Sequence, residues 1–169
     1  MMMTEDATRS RTITWTDPTV TRARLGGLNG YERLLAIKSG AAAPPPAASL
    51  LGMTLDELEP GRTVFSLVAD ELHENPMGTM HGGIVATLVD TAMGCAVSSR
   101  LDADETFTTL ELSTNYVRAI TQATGRIFAE GRVVHGGTRV ATTEARVYDA
   151  SGALYAHATS TCLITKARS

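Results

Sequence analysis

The chain has 169 residues, 43% of them hydrophobic, with a formal net charge of −3 and two cysteines. That length supports one domain with a real core and is short for two. The acidic balance excludes nucleic-acid binding by bulk charge, and two isolated cysteines exclude a CxxC redox motif or a cysteine zinc site.

The charge is uneven along the chain. Residues 1–114 carry 8 Lys/Arg against 15 Asp/Glu, and residues 115–169 carry 7 against 3. The basic C-terminal part could meet a few phosphates. Cys95 and Cys162 sit in apolar contexts and read as buried free thiols. The first residues, MMMTEDATRSRT, are polar and contain no apolar leader. No apolar run approaches the roughly 20 residues of a membrane span. A soluble, cytoplasmic protein is the expectation.

In chain order, residues 1 to about 20 read as a loose tail. A short helix is predicted over Asn29–Lys38, where Tyr31, Leu34, Leu35 and Ile37 recur near helical spacing and Ser39-Gly40 ends the run. AAAPPPAAS follows as a linker, because three prolines fit neither a helix interior nor a central strand. Residues 1–49 are therefore an N-terminal extension and 50–169 the domain proper. A strand is predicted near Leu50–Leu58 and a second over Arg62–Leu72, joined by Glu59-Pro60-Gly61. Glu74–His81 is a loop broken by Asn75-Pro76 and Gly78. A long apolar helix runs from Gly82 to about Ser99, and Leu101–Thr106 is a polar loop. Four strands follow, near 107–118, 124–135, 138–149 and 153–164. The second and third of these are joined by a Gly136-Gly137 hairpin signal. The last alternates cleanly, with Leu154, Ala156, Ala158, Ser160, Cys162 and Ile164 on one side.

The order is β-β-α-β-β-β-β with one long apolar helix. An antiparallel sheet with an apolar face needs cover. The pattern predicts an α+β fold in which a curved antiparallel sheet wraps around that central helix.

Two features of the helix point to chemistry. It opens on Gly82-Gly83, where unpaired N–H groups and a partial positive charge suit an oxygen gaining negative charge. It also carries Asp90 among apolar residues, and no Lys, Arg or Glu lies between Gly82 and Ser99. A lone carboxylate on a nearly buried helix is costly unless paired or used. Asp90 lies eight residues beyond Gly82, about 12 Å along the axis at ~1.5 Å per residue. One carbonyl cannot touch both groups on the same helix. If both act together they come from different chains, which predicts a twofold dimer with two equivalent sites.

The stretch Asn75-Pro76-Met77-Gly78-Thr79-Met80-His81-Gly82-Gly83, followed by Leu88-Val89-Asp90, resembles the hotdog-fold acyl-CoA thioesterases of the phenylacetate-pathway (PaaI-like) branch. The strand from Thr108 to Tyr116 resembles the family strand that begins with Ser/Thr and ends in Tyr. The resemblance covers about residues 50–165. It implies a hotdog fold and hydrolysis of a fatty-acyl or aryl-acyl-CoA to free acid and CoA, with no metal or other cofactor. It further implies that the Gly82 N–H polarises the thioester carbonyl. Asn75 would hold that carbonyl or order the loop, and His81 would support the loop and the Asn75 side chain. Asp90 of the partner subunit would act as general base or nucleophile, and Thr109, with Thr108 as the neighbouring candidate, would position the water. Gly83, Thr108 and the turn Gly137-Thr138-Arg139 would contact substrate, the turn lying near the CoA nucleotide. Partners are then the acyl-CoA and a second copy, as a homodimer or a dimer of dimers.

Other readings compete. The same fold can serve as a non-catalytic acyl-CoA-binding module. A hotdog dehydratase would pair an acid with an active-site histidine, whereas His81 reads as a loop support. No GxSxG elbow and no GxGxxG fingerprint is present. His73 and His81 match no tight metal-ligand spacing.

Overall fold

The structure, a computed structural model, describes residues 8–166. Three short helices precede the sheet. Helix α1 spans Pro18–Arg24, so the expected tail is ordered from Asp17, whose carboxylate accepts from Thr19 N at 2.8 Å. Helix α2 spans Gly30–Lys38 as its periodicity predicts, opened by a reciprocal cap between Asn29 and Glu32. The Ala/Pro stretch is not only a linker. Pro46 occupies the first turn of α3, Pro46–Leu51, where a missing N–H costs nothing. Gly52, at φ 70°, ends α3, so β1 begins at Thr54 and not at Leu50. Leu34 and Ala48, both ahead of residue 50, join the main core cluster.

Strands β1 (Thr54–Glu59) and β2 (Arg62–Val68) form a hairpin. β2 is shorter than expected. Its apolar run stops at Ala69, and Asp70 caps a 3-10 turn, Glu71–His73, by accepting from Leu72 N. The long helix α4 spans Gly82–Ser98. Strands β3 (Glu105–Tyr116), β4 (Arg126–Gly136), β5 (Val140–Asp149) and β6 (Leu154–Lys166) follow. The six strands make one antiparallel sheet in the order β1-β2-β4-β5-β6-β3.

Helix α4 packs against β2, β3, β4, β5 and β6. Its buried side chains include Val85, Leu88, Val89, Ala92 and Met93. Its depth is set by close contacts. Thr63 Oγ1 donates to Ala92 O at 2.8 Å. A Cβ on Gly131 would lie 2.5 Å from the Ala92 carbonyl, and one on Gly94 would lie 2.9 Å from the Phe107 ring. Glycine at 131 lets helix backbone rest directly on sheet backbone.

β3 is an outer strand that pairs only with β6. Thr109 pairs Cys162 and Glu111 pairs Thr161, so Leu110 is an extra residue, a β-bulge. The β4–β5 connection also differs from expectation. Gly137 N donates to Val140 O at 2.9 Å, which places Thr138-Arg139 at the turn. Gly136 ends β4, and neither Gly136 nor Gly137 has positive φ.

Candidate active site

The loop before α4 is held from several sides. Asn75 N donates to Thr79 O at 2.8 Å, Met80 N to Ile120 O at 2.8 Å, and His81 N to His73 O at 2.7 Å. The Asn75 side chain serves its own loop: Oδ1 accepts from Met77 N at 2.9 Å and Nδ2 donates to Thr79 Oγ1 at 3.0 Å. Among the described residues no hydrogen bond joins His81 to Asn75, the side chain it is expected to support. His81 is instead the N-cap of α4, its Nδ1 accepting from Gly83 N at 2.9 Å. The Gly83 amide is thereby committed to the helix cap. The Gly82 N–H has no acceptor among the described residues. It stands at the positive end of a 17-residue helix, the place where an anionic oxygen is favoured.

Gly82 borders a pocket of about 410 Å³ together with Asn75, Met80, Val85, Tyr116 and Ile120. Its lining mixes apolar side chains with the polar groups of Asn75, Thr79, Tyr116 and Arg118. The Arg118 guanidinium is 5.3 Å from the centre of the Tyr155 ring.

Asp90 is half-buried on the face of α4 that carries the exposed Gly83 and Thr87. Thr109 Oγ1 donates to Asp90 Oδ1 at 2.9 Å. This separates the two threonines: Thr109 faces the helix, while Thr108 is exposed on the other side of β3. The Cys95 thiol, five residues beyond Asp90, is pushed up to about 12 by burial, with the Asp90 charge adding to it. The Cys162 thiol is also raised by burial. Both cysteines are free thiols.

The remaining expected residues sit elsewhere. Gly137 and Thr138 line a pocket of about 290 Å³ with Val97, Arg100 and Leu101, at the C-terminal end of α4. Arg139 is exposed, and its carbonyl accepts from Ile164 N at 2.8 Å. The structure thus brings Asn75, His81, Gly82 and Gly83 together at one end of α4, pairs Asp90 with Thr109 midway, and holds the hairpin at the far end.

The sequence profile of the thioesterase superfamily matches residues 77–156. A relative from Saccharolobus solfataricus, provisionally named an esterase, is 32% identical over 108 residues, which cover 64% of this chain and 75% of the relative. The chain belongs to the thioesterase superfamily. It is also similar to the 1,4-dihydroxy-2-naphthoyl-CoA hydrolase of Listeria monocytogenes, 24% identical over 70% of this chain and 94% of that one. A solved thioesterase family protein from Silicibacter pomeroyi superposes with a TM-score of 0.70 at 25% identity, covering 78% of this chain and 98% of its own. The fold is the hotdog fold, and the chain is a thioester hydrolase. Among the described residues, no helix of this thioesterase is long and apolar enough to cross a membrane.

Sequence alone assigns no role to two residues beside Gly82: Tyr116, which enters there only as the end of the family-like strand, and Arg118. Tyr116 Oη donates to Gly82 O at 2.9 Å, and Arg118 lines the Gly82 pocket. Both lie in the stretch Asn115-Tyr116-Val117-Arg118. The bulge that turns Tyr116 toward α4 does not show in the strand's alternation, and Arg118 lies beyond the end of β3.

Proposed function

We propose that the chain is an acyl-CoA thioesterase of the PaaI-like branch, acting on fatty-acyl or aryl-acyl-CoA as a homodimer with shared sites. Gly82 N–H, backed by the helix dipole, donates to the thioester oxygen as negative charge grows on it. Asp90 of the partner subunit acts on the carbonyl carbon, either by taking a proton from attacking water or as the nucleophile itself. Thr109 holds that carboxylate in place. Asn75 keeps the loop closed beside the carbonyl, and the Gly137-Thr138-Arg139 turn serves the nucleotide end of CoA.

The observation that carries this reading is the Thr109–Asp90 hydrogen bond, which orients a lone half-buried carboxylate on the open face of α4. That carboxylate lies about 12 Å from the free amide of its own chain, at ~1.5 Å per residue. A second helix crossing the first in the opposite sense brings each acid to the other's amide. The outer edge of β3, which no strand covers among the described residues, supports such pairing, because an open edge favours a second strand.

The test is CoA release from a panel of acyl- and aryl-CoA thioesters by wild type and Asp90→Asn. The variant is expected to lose about 10²–10⁴ in kcat, the usual worth of a positioned acid–base group. Full activity in Asp90→Asn refutes the assignment. Tight acyl-CoA binding without turnover by the wild type marks a binding module, and hydration of an enoyl-CoA a dehydratase.

A further inference from the structure

The Gly82–Gly83 peptide plane is held at both ends. Its N–H, that of Gly83, donates to His81 Nδ1 at 2.9 Å. Its C=O, that of Gly82, accepts from Tyr116 Oη at 2.9 Å. The Tyr116 ring lies against the same glycine: a Cβ on Gly82 would be 3.3 Å from Cζ and 3.3 Å from Oη. Two glycines in a row give the chain its widest conformational choice, at a helix end, where fraying begins. The neighbouring peptide, His81–Gly82, carries the free Gly82 N–H. Fixing the plane after it leaves that N–H little room to swing.

Tyr116 reaches Gly82 only because of the bulge. Thr109 pairs the fully buried Cys162 and so faces α4. In an unbroken strand the residues facing α4 would be 111, 113 and 115, with Tyr116 turned away. The extra residue Leu110 shifts the alternation. Leu112 then pairs buried Ser160, Thr114 pairs Ala158, and Tyr116 pairs Ala156, all on the helix side. One strand therefore presents Thr109 to Asp90 and Tyr116 to Gly82.

We propose that Tyr116 is a positioning residue for thioester hydrolysis: with His81 it clamps the Gly82–Gly83 peptide and so aims the Gly82 N–H, and the Leu110 bulge is the device that brings it to the helix face. This rests on the reading of Gly82 as the carbonyl donor. Tyr116 touches the glycine and acts through it.

The experiment compares wild type, Tyr116→Phe and Asp90→Asn. Tyr116→Phe keeps the ring and removes only the hydroxyl from a side chain that is 53% exposed, so folding is expected to be retained. Three quantities are read: kcat and KM for an acyl-CoA, the Kd of an S-alkyl-CoA thioether that lacks the carbonyl, and amide exchange of Gly83 by NMR. The expected result is a kcat lower by about tenfold, as for one lost positioning hydrogen bond, with KM and thioether Kd within about twofold. Gly83 exchange is expected to rise by a similar factor, with Tm unchanged. Unchanged Gly83 exchange overturns the clamp. Faster exchange with unchanged kcat overturns its role in the reaction, and a matching loss of thioether affinity or Tm reduces Tyr116 to a wall. The exchange readout needs no turnover. Activity that survives in Asp90→Asn refutes the shared-site reading separately, whatever Tyr116→Phe does.

Discussion

A carboxylate on an apolar helix is tolerated when another group satisfies it. Thr109 supplies that group for Asp90, and the bond fixes which oxygen is turned away from the strand. Sequence alone exposed the oddity of Asp90, since its neighbours at helical spacing are apolar or small. It left Thr108 and Thr109 open, because their order of facing depends on where the strand begins. Gly131 shows the opposite case: nothing in the sequence marks it, yet a Cβ there meets the α4 backbone at 2.5 Å. Gly131→Ala is expected to cost about 1–3 kcal/mol in urea unfolding, since a helix must shift where a side chain cannot yield. Activity should fall as well, because the shift moves the helix that carries Asp90.

At the scale of elements, α4 and α2 were legible from periodicity and from the residues that end them. The errors have physical causes. Proline signals a break, but at the first turn of a helix it fits, so α3 forms where the sequence suggests linker and strand. β2 stops short of the expected Leu72 because the apolar run ends at Ala69 and Asp70 turns the chain into the 3-10 turn Glu71–His73. A glycine pair suggested the β4–β5 turn, whereas the glycines admit close contacts at the strand end and Thr138-Arg139 make the corner. The β5–β6 turn rests on charge. The Asp149 carboxylate accepts from Ser151 Oγ, Tyr155 Oη and the amides of Ala153 and Ser151, which hold it down at about 2. Its value in the folded state lies below its ordinary 3.8, so its contribution is present above about pH 4 and is lost as pH falls toward 2. Wild type should withstand more urea than Asp149→Asn at pH 7, and the gap should close across that acidic window.

At the scale of the whole molecule, the separation of Gly82 and Asp90 along α4 makes the proposed enzyme a property of two chains. Mixing two inactive proteins, Asp90→Asn and Gly82→Val, after joint unfolding and refolding should restore activity. Random pairing makes half the dimers mixed, each with one intact site of two, so recovery approaches about a quarter of wild type. No recovery would refute the shared site. The outer strand that would meet the partner is also the one with the bulge at Leu110. That makes β3 sensitive to odd and even. One residue gained or lost between Thr109 and Tyr116 exchanges inside for outside over the rest of the strand, while two leave every side chain on its own face. Length changes in this segment are therefore tolerable only in pairs, and a relative without the bulge, aligned by similarity alone, will be misread by one position.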